Sequence, residues 1–204
     1  MAGPKLTSTP EKSLMSRINE ARSNNPRLII AIDGLGGAGK STLARRITSA
    51  ISGAAHVEYD WFHLPQAEIE GSYRFDYRRL TTEVLKPFRN GQGAFEFKRY
   101  NWGYLSGGPD GFADESISLR DVDLIVLEGC GVLFPQLSDL FDLKIWVDTP
   151  PEESLARGMR RDIEEYGLDP QKVSSAWHEW SSWEAQALAR DDRRLRADVR
   201  VSVG

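Results

Sequence analysis

Between residues 28 and 51 the chain reads LIIAIDGLGGAGKSTLARRITSAI, and no other stretch restricts the fold as much. Leu28 to Ile32 is a continuous apolar run with β-branched residues, the pattern of a strand buried on both faces. Leu43, Ile47 and Ile51 then recur every four residues, the spacing of one helix face. Between them, Gly34-Leu35-Gly36-Gly37-Ala38-Gly39-Lys40-Ser41-Thr42 matches G-x-x-x-x-G-K-[ST] at every fixed position. Glycines let successive backbone N–H groups curl inward around phosphate oxygens with no Cβ in the way. The following helix adds its dipole and its unsatisfied N–H groups.

The rest of the chain continues the alternation. Ser13 to Ser23 has helical spacing, and Ala55 to Tyr59 reads as a second strand ending at Asp60. A helix over 77–88 and a short extended piece over 95–100 follow, then buried strands over 121–129 and 141–149. Thr149 as N-cap, Pro150 at the first helical position and Glu152 form a capping box for a helix that should run to Tyr166 and stop at Gly167. Asp169 and Pro170 open another helix to about Arg190, and ADVRVSVG is a last short strand. This order predicts a three-layer α/β domain with a mainly parallel sheet over 13–204, preceded by a flexible Pro-, Ser- and Thr-rich tail over 1–12.

Composition narrows the classes. The 204 residues suit one domain, and 26 Lys and Arg against 30 Asp and Glu leave a net charge of −4. Sequence-independent nucleic-acid binding needs a dominant basic surface, which this balance does not supply. Cys130 is the single cysteine, so neither an internal disulfide nor a thiolate zinc site is available. The three histidines are too scattered to suggest a metal site. The apolar runs fall well short of the ~20 residues of a membrane span, and the first residues have no secretory apolar core. The expectation is a soluble, cytoplasmic protein with no membrane partner.

The phosphate loop sets the chemistry to look for. Lys40 would reach the β- and γ-phosphates, and the Ser41 hydroxyl would bind Mg²⁺. Carboxylates at neighbouring strand ends would complete such a site. Asp60 and Glu128 end two predicted strands, with Glu128 a candidate for Mg²⁺ or its water. Arg157, Arg160 and Arg161, at i, i+3 and i+4, could clamp the γ-phosphate from one helix side, although Glu153 with Arg157 is also an ordinary surface pair. Arg190, Arg193, Arg194, Arg196 and Arg200 are interleaved with aspartates and read as a solvated face. Trp177, Trp180 and Trp183 read as core packing, or else as an aromatic wall for a planar ligand. Cys130 reads as a small buried residue.

Taken in order, GLGGAGKSTLARRI, VEYDWFHLP, FDYRRL, DLIVLEGCGVLF and FDLKIWVDTPPEESLARGMRRDIEEYG resemble the uridine kinase and phosphoribulokinase family of P-loop kinases. The resemblance covers roughly 27–203. It implies ATP- and Mg²⁺-dependent phosphorylation of a hydroxyl on a small molecule, a nucleoside or related metabolite, and allows a homo-oligomer. Residues 61–120 would be the substrate-side insertion, and 150–190 the lid and C-terminal helices. Asp60 matches the general base, which also lies near the metal. Glu128 matches the acidic residue at the metal, and Arg157 and Arg161 match the lid arginines. Asp76 matches an aspartate that holds a sugar hydroxyl, and Tyr100, Trp102 and Arg160 join it as acceptor-side candidates. The departures are on that side: Tyr77-Arg78 stands where His-Pro is common, Asn101 at an aspartate's place, and His63 where tyrosine is usual. The rival class is a regulatory ATPase or switch acting through a protein partner. The chain has no Asn-Lys-x-Asp segment for guanine, and its third strand ends in Leu-Glu-Gly where a motor ATPase has an Asp-Glu pair.

Overall fold

The computed structural model describes residues 11–64, 74–102 and 111–202. The tail expected over 1–12 lies outside this range up to residue 10, and helix α1 (Glu11–Asn24) takes up the chain at Glu11. Strand β1 (Leu28–Gly34) leads through the phosphate loop into α2 (Lys40–Ala50). Strand β2 (Ala54–Glu58) is followed by a 3₁₀ turn, Tyr59–Phe62. A continuous helical run, α3, comprises Tyr77–Leu80, a π-helical Thr81–Leu85 and Lys86–Arg89. Pro87 has no N–H to give and its ring would crowd the carbonyl four residues back, so the wider turn before it relieves that contact.

Strands β3 (Ala94–Asn101) and β4 (Gly111–Arg120) form an antiparallel hairpin with a register shift between Lys98 and Tyr100. Then come β5 (Leu124–Glu128), the short α4 (Pro135–Ser138) and β6 (Leu143–Val147). Helices α5 (Pro151–Glu164) and α6 (Pro170–Arg190), a 3₁₀ turn Arg193–Arg196 and β7 (Val199–Val201) complete the chain. The main sheet has the order β2-β5-β1-β6-β7, and every pairing in it is parallel. The expected α/β architecture is therefore the one observed.

Alternation along β1 builds two cores. Leu28, Ile30 and Ile32 pack with Leu14, Ile18, Leu43 and Ile47 from α1 and α2. Ile29 and Ala31 face the opposite way, toward Leu80, Phe88 and the hairpin residues Phe95 and Phe97. With both faces covered, the strands must be apolar throughout. None of the described helices is long and apolar enough to cross a membrane.

Two expectations are corrected here. Thr149 is not an N-cap: Pro150 takes that position (φ −54°, ψ 139°), Pro151 begins the helix, and the capping box with Glu152 does not form. A residue preceding proline is pushed out of the helical region, so the Pro-Pro pair delays the helix by one residue. The Thr149 hydroxyl instead donates to the carbonyl of Ala38 in the phosphate loop at 3.0 Å. The second correction is Arg193, which belongs to no solvated face. It is 0% exposed and pairs with Asp33, also 0% exposed, at 3.1 Å.

Candidate active site

Parallel register brings the site together. Ile32 of β1 lies opposite Glu128 of β5, which lies opposite Glu58 of β2, so β5 and β2 finish at one level and β1 runs two residues further, to Gly34. The phosphate loop, the Tyr59–Phe62 turn and the loop after β5 leave the sheet side by side there, as ligand sites in open α/β sheets do.

Within the loop, Gly37 (φ +79°) and Gly39 (φ +100°) take left-handed conformations open to glycine. Gly36 and Gly37 are needed for space as well. A Cβ on Gly37 would lie 2.1 Å from the Ser154 carbonyl oxygen of α5, and one on Gly36 would lie 2.9 Å from the rings of Trp177 and Trp180. Helices α5 and α6 thus rest directly on the loop. Lys40 begins α2 and is buried, with Nζ donating to the carbonyls of Gly34 and Leu35 at 3.1 and 2.9 Å and to Cys130 Sγ at 3.2 Å. Burial alone would lower its pKa, but Cys130, Glu128 and Glu184 outweigh that, and the ammonium is held charged. Cys130 is buried as expected, and its sulfur is a partner of the loop lysine. Ala38 and Leu35 close a turn through an N–H···O bond of 3.0 Å, while Thr42 is exposed on α2.

Glu128 is buried at the end of β5. Burial opposes its ionisation, yet the neighbouring His56 ring, Ser41 and the Lys40 charge outweigh it, holding the carboxyl below the ordinary range. His56 Nε2 lies 3.4 Å from Glu128 Oε1. With Glu58, these residues bring three ligand atoms within 4.8 Å of one another, so His56, set aside in the sequence as scattered, belongs to the site's acidic wall.

Asp60 occupies the 3₁₀ turn, one residue beyond the expected strand, and keeps an open face to solvent. Crowding by the cleft and the charges of Glu128 and Glu58 push its carboxyl up to about 6, against the pull of Lys40 and Arg161. Of the three arginines of α5, Arg161 is the one whose charge acts on Asp60. Arg157 pairs with Glu153 one turn away, and Arg160 is exposed.

Among the residues expected on the acceptor side, Asp76 caps α3 by accepting from Arg79 N at 2.9 Å, and its own N–H donates to the Phe62 carbonyl at 2.7 Å. Tyr100 is buried among rings, 5.2 Å from His63 and 5.0 Å from Trp102 between centroids. Trp102 is 4.4 Å from His63. Trp180 and Trp183 stack 4.8 Å apart beneath the Arg74 guanidinium.

Two residues outside the expected set, Glu184 and Asp33, hold the loop. Glu184 Oε1 accepts from Gly36 N at 2.9 Å, and burial raises its carboxyl. Its signal was available: Val173, Trp177, Glu184 and Ala187 are the buried positions of α6, so a carboxylate sits on an apolar stripe. Asp33 accepts from the N–H groups of Gly34, Gly131 and Leu133 and from Arg193 Nε, at 2.7 to 3.1 Å. It ties the phosphate loop to the loop that follows Glu128.

A glycine cradle with a buried lysine, two nearby carboxylates and two helices resting on it define the class of the P-loop kinases. The family model described as the phosphoribulokinase / uridine kinase family matches residues 66–187, and the chain belongs to that family. It is 29% identical over 158 residues to a uridine kinase of Macrococcus caseolyticus (strain JCSC5402), covering 71% of this chain and 73% of that protein. It is 30% identical over 165 residues to uridine-cytidine kinase B of Dictyostelium discoideum, covering 75% of this chain and 65% of that one. Among solved structures, a candidate fructose transport system kinase of Silicibacter sp. TM1040 has the same fold, with a TM-score of 0.70 at 19% identity over 97% of this chain and 100% of the other. The chain is a small-molecule kinase.

Proposed function

We propose that this kinase transfers the γ-phosphoryl group of ATP to a hydroxyl of a nucleoside or related polar metabolite, with Asp60 as the base. The observation that carries the reading is the placing of Asp60: its carboxyl, raised to about 6, shares one cleft with Lys40, Glu128 and Arg161. A base needs a pKa near the working pH, and an unperturbed aspartate lies two units too low.

The loop amides and Lys40 hold the triphosphate. Ser41, Glu128 and Asp60 offer the hard oxygen donors that suit Mg²⁺, and Glu128 is kept ionised for it. Mg²⁺, when bound, supplies charge neutralisation on the phosphates. Asp60 accepts the proton of the attacking hydroxyl, Arg161 balances charge on the transferring group, and Asp76 with the His63, Tyr100 and Trp102 rings orients the acceptor. Little covalent help is required, since alignment and charge account for most catalysis of phosphoryl transfer. The relatives named for uridine and cytidine support a nucleoside, and the structural neighbour named for fructose transport supports a sugar.

The test is ADP formation with ATP and Mg²⁺ against nucleosides, sugars, sugar phosphates and pantothenate, with Asp60→Asn as control. Acceptor-dependent turnover that falls ~10²–10⁴-fold in the variant is expected. Near-normal turnover in Asp60→Asn removes the base assignment. Slow ATP loss indifferent to every acceptor favours a switch.

A further inference from the structure

A short polar chain leads from the phosphate loop to Arg161. Trp177 of α6 lies over two glycines: a Cβ on Gly158 of α5 would come 2.1 Å from its ring, and one on Gly36 2.9 Å. Its indole N–H donates to Asp162 Oδ2 at 2.7 Å in a buried bond. The other carboxylate oxygen, Asp162 Oδ1, accepts from Arg161 Nε and from a terminal nitrogen of the same guanidinium, at 2.9 and 2.7 Å. The guanidinium also lies 5.8 Å from the Trp177 ring centre and 5.4 Å from that of Tyr166.

We infer that Trp177 is a positioning residue for phosphoryl transfer: through Asp162 it fixes the direction of Arg161 relative to the phosphate loop. The inference rests on the reading of Arg161 as the lid arginine. A long side chain on a half-exposed helix has many rotamers, and charged bonds to a fixed carboxylate select among them. Asp162 is itself fixed by the indole, because a buried N–H must find an acceptor. The same ring bears on Gly36, whose amide Glu184 holds. The place of Arg161 is therefore measured from the loop, although the two are on different elements. Misplacement of a charge by about 1 Å is enough to cost a large part of its effect.

The experiment compares dissociation constants of Mg·AMP-PNP and Mg·ADP, by calorimetry on the full chain, for Arg161→Ala, Trp177→Phe and Asp162→Asn. An arginine aimed at the third phosphate favours AMP-PNP. Arg161→Ala should remove that preference, Trp177→Phe and Asp162→Asn should each reduce it about fivefold, and ADP binding should stay within twofold. The double variant should lose no more than the worse single one, since the two residues act through one arginine. If Trp177→Phe and Asp162→Asn keep the full preference while Arg161→Ala loses it, Trp177 only packs and the inference fails. It fails equally if both ligands weaken together with a falling melting temperature. Should Arg161→Ala itself keep the preference, the lid reading fails and takes this one with it. Asp162→Asn retains an acceptor for the indole, so it decides the matter if Trp177→Phe does not fold.

Discussion

The two sides of the cleft are built on different principles. On the phosphate side, position comes from backbone: three parallel strands pair in register, and amides, a lysine at a helix start and glycines under α5 and α6 follow from that. On the proposed acceptor side, position comes from side chains. The β3–β4 hairpin belongs to a separate two-stranded sheet and meets the domain through rings such as Phe97 against Trp61 and Phe62. A backbone site cannot shift without losing its ligand, whereas a side-chain site can change its residues and keep its frame. That contrast agrees with where the chain departs from the uridine kinase pattern: at His63, Tyr77, Arg78 and Asn101, with the phosphate-loop motif unchanged.

The contrast can be broken from the phosphate side first. Lys40→Met should lower turnover ~10²–10³-fold, the scale of losing one preorganised charge-stabilising group, with acceptor KM little changed in steady-state kinetics. Gly37→Ala should weaken ATP binding ~10–100-fold, because its Cβ meets the Ser154 carbonyl and the loop or α5 must move. Gly93→Ala, where a Cβ meets nothing within 4 Å, is the matched control and should bind ATP normally. On the acceptor side, Trp102→Ala should raise acceptor KM roughly tenfold and leave ATP KM within twofold, since it strips one ring from His63 and Tyr100. A parallel loss in ATP KM would mean that the two sides are not separable.

Acidity gives a subtler probe. The Asp60 carboxyl is raised to about 6, so turnover should be full above that pH and fall tenfold per unit below it, with the midpoint moving lower as Mg²⁺ is added. Stability runs the other way. A carboxyl with a raised folded pKa binds its proton more tightly in the fold, so stability is lost as pH rises from about 4 to about 6. Asp60→Asn should therefore melt slightly higher than the parent at pH 8 while being inactive. Equal melting temperatures at that pH would show that solvent screens the open face of Asp60 completely.

Legibility followed the same division. The β1-loop-α2 unit was readable because apolar run, glycines and helical spacing each exclude alternatives. Helix α6 was readable at its start because Asp169 accepts from Lys172 N and Pro170 follows. Thr149 was misplaced by the Pro-Pro pair. Strand β4 gave no signal, since GFADESISLR exposes most of its residues and pairs only with β3. Arg193 could not be told from the four arginines near it, because its burial depends on Asp33, 160 residues away. Glu184 could have been found by asking why a carboxylate interrupts an apolar stripe.

The Asp33–Arg193 pair also makes the middle of the sheet depend on the far end of the chain. A ribosome releases Asp33 early, and its carboxylate has only backbone amides for company until Arg193 and the last strand, β7, emerge. A buried charge without its partner is costly, by about 3–5 kcal/mol. A chain cut short before residue 193 should therefore melt lower than the full chain, which a thermal melt of the two would check.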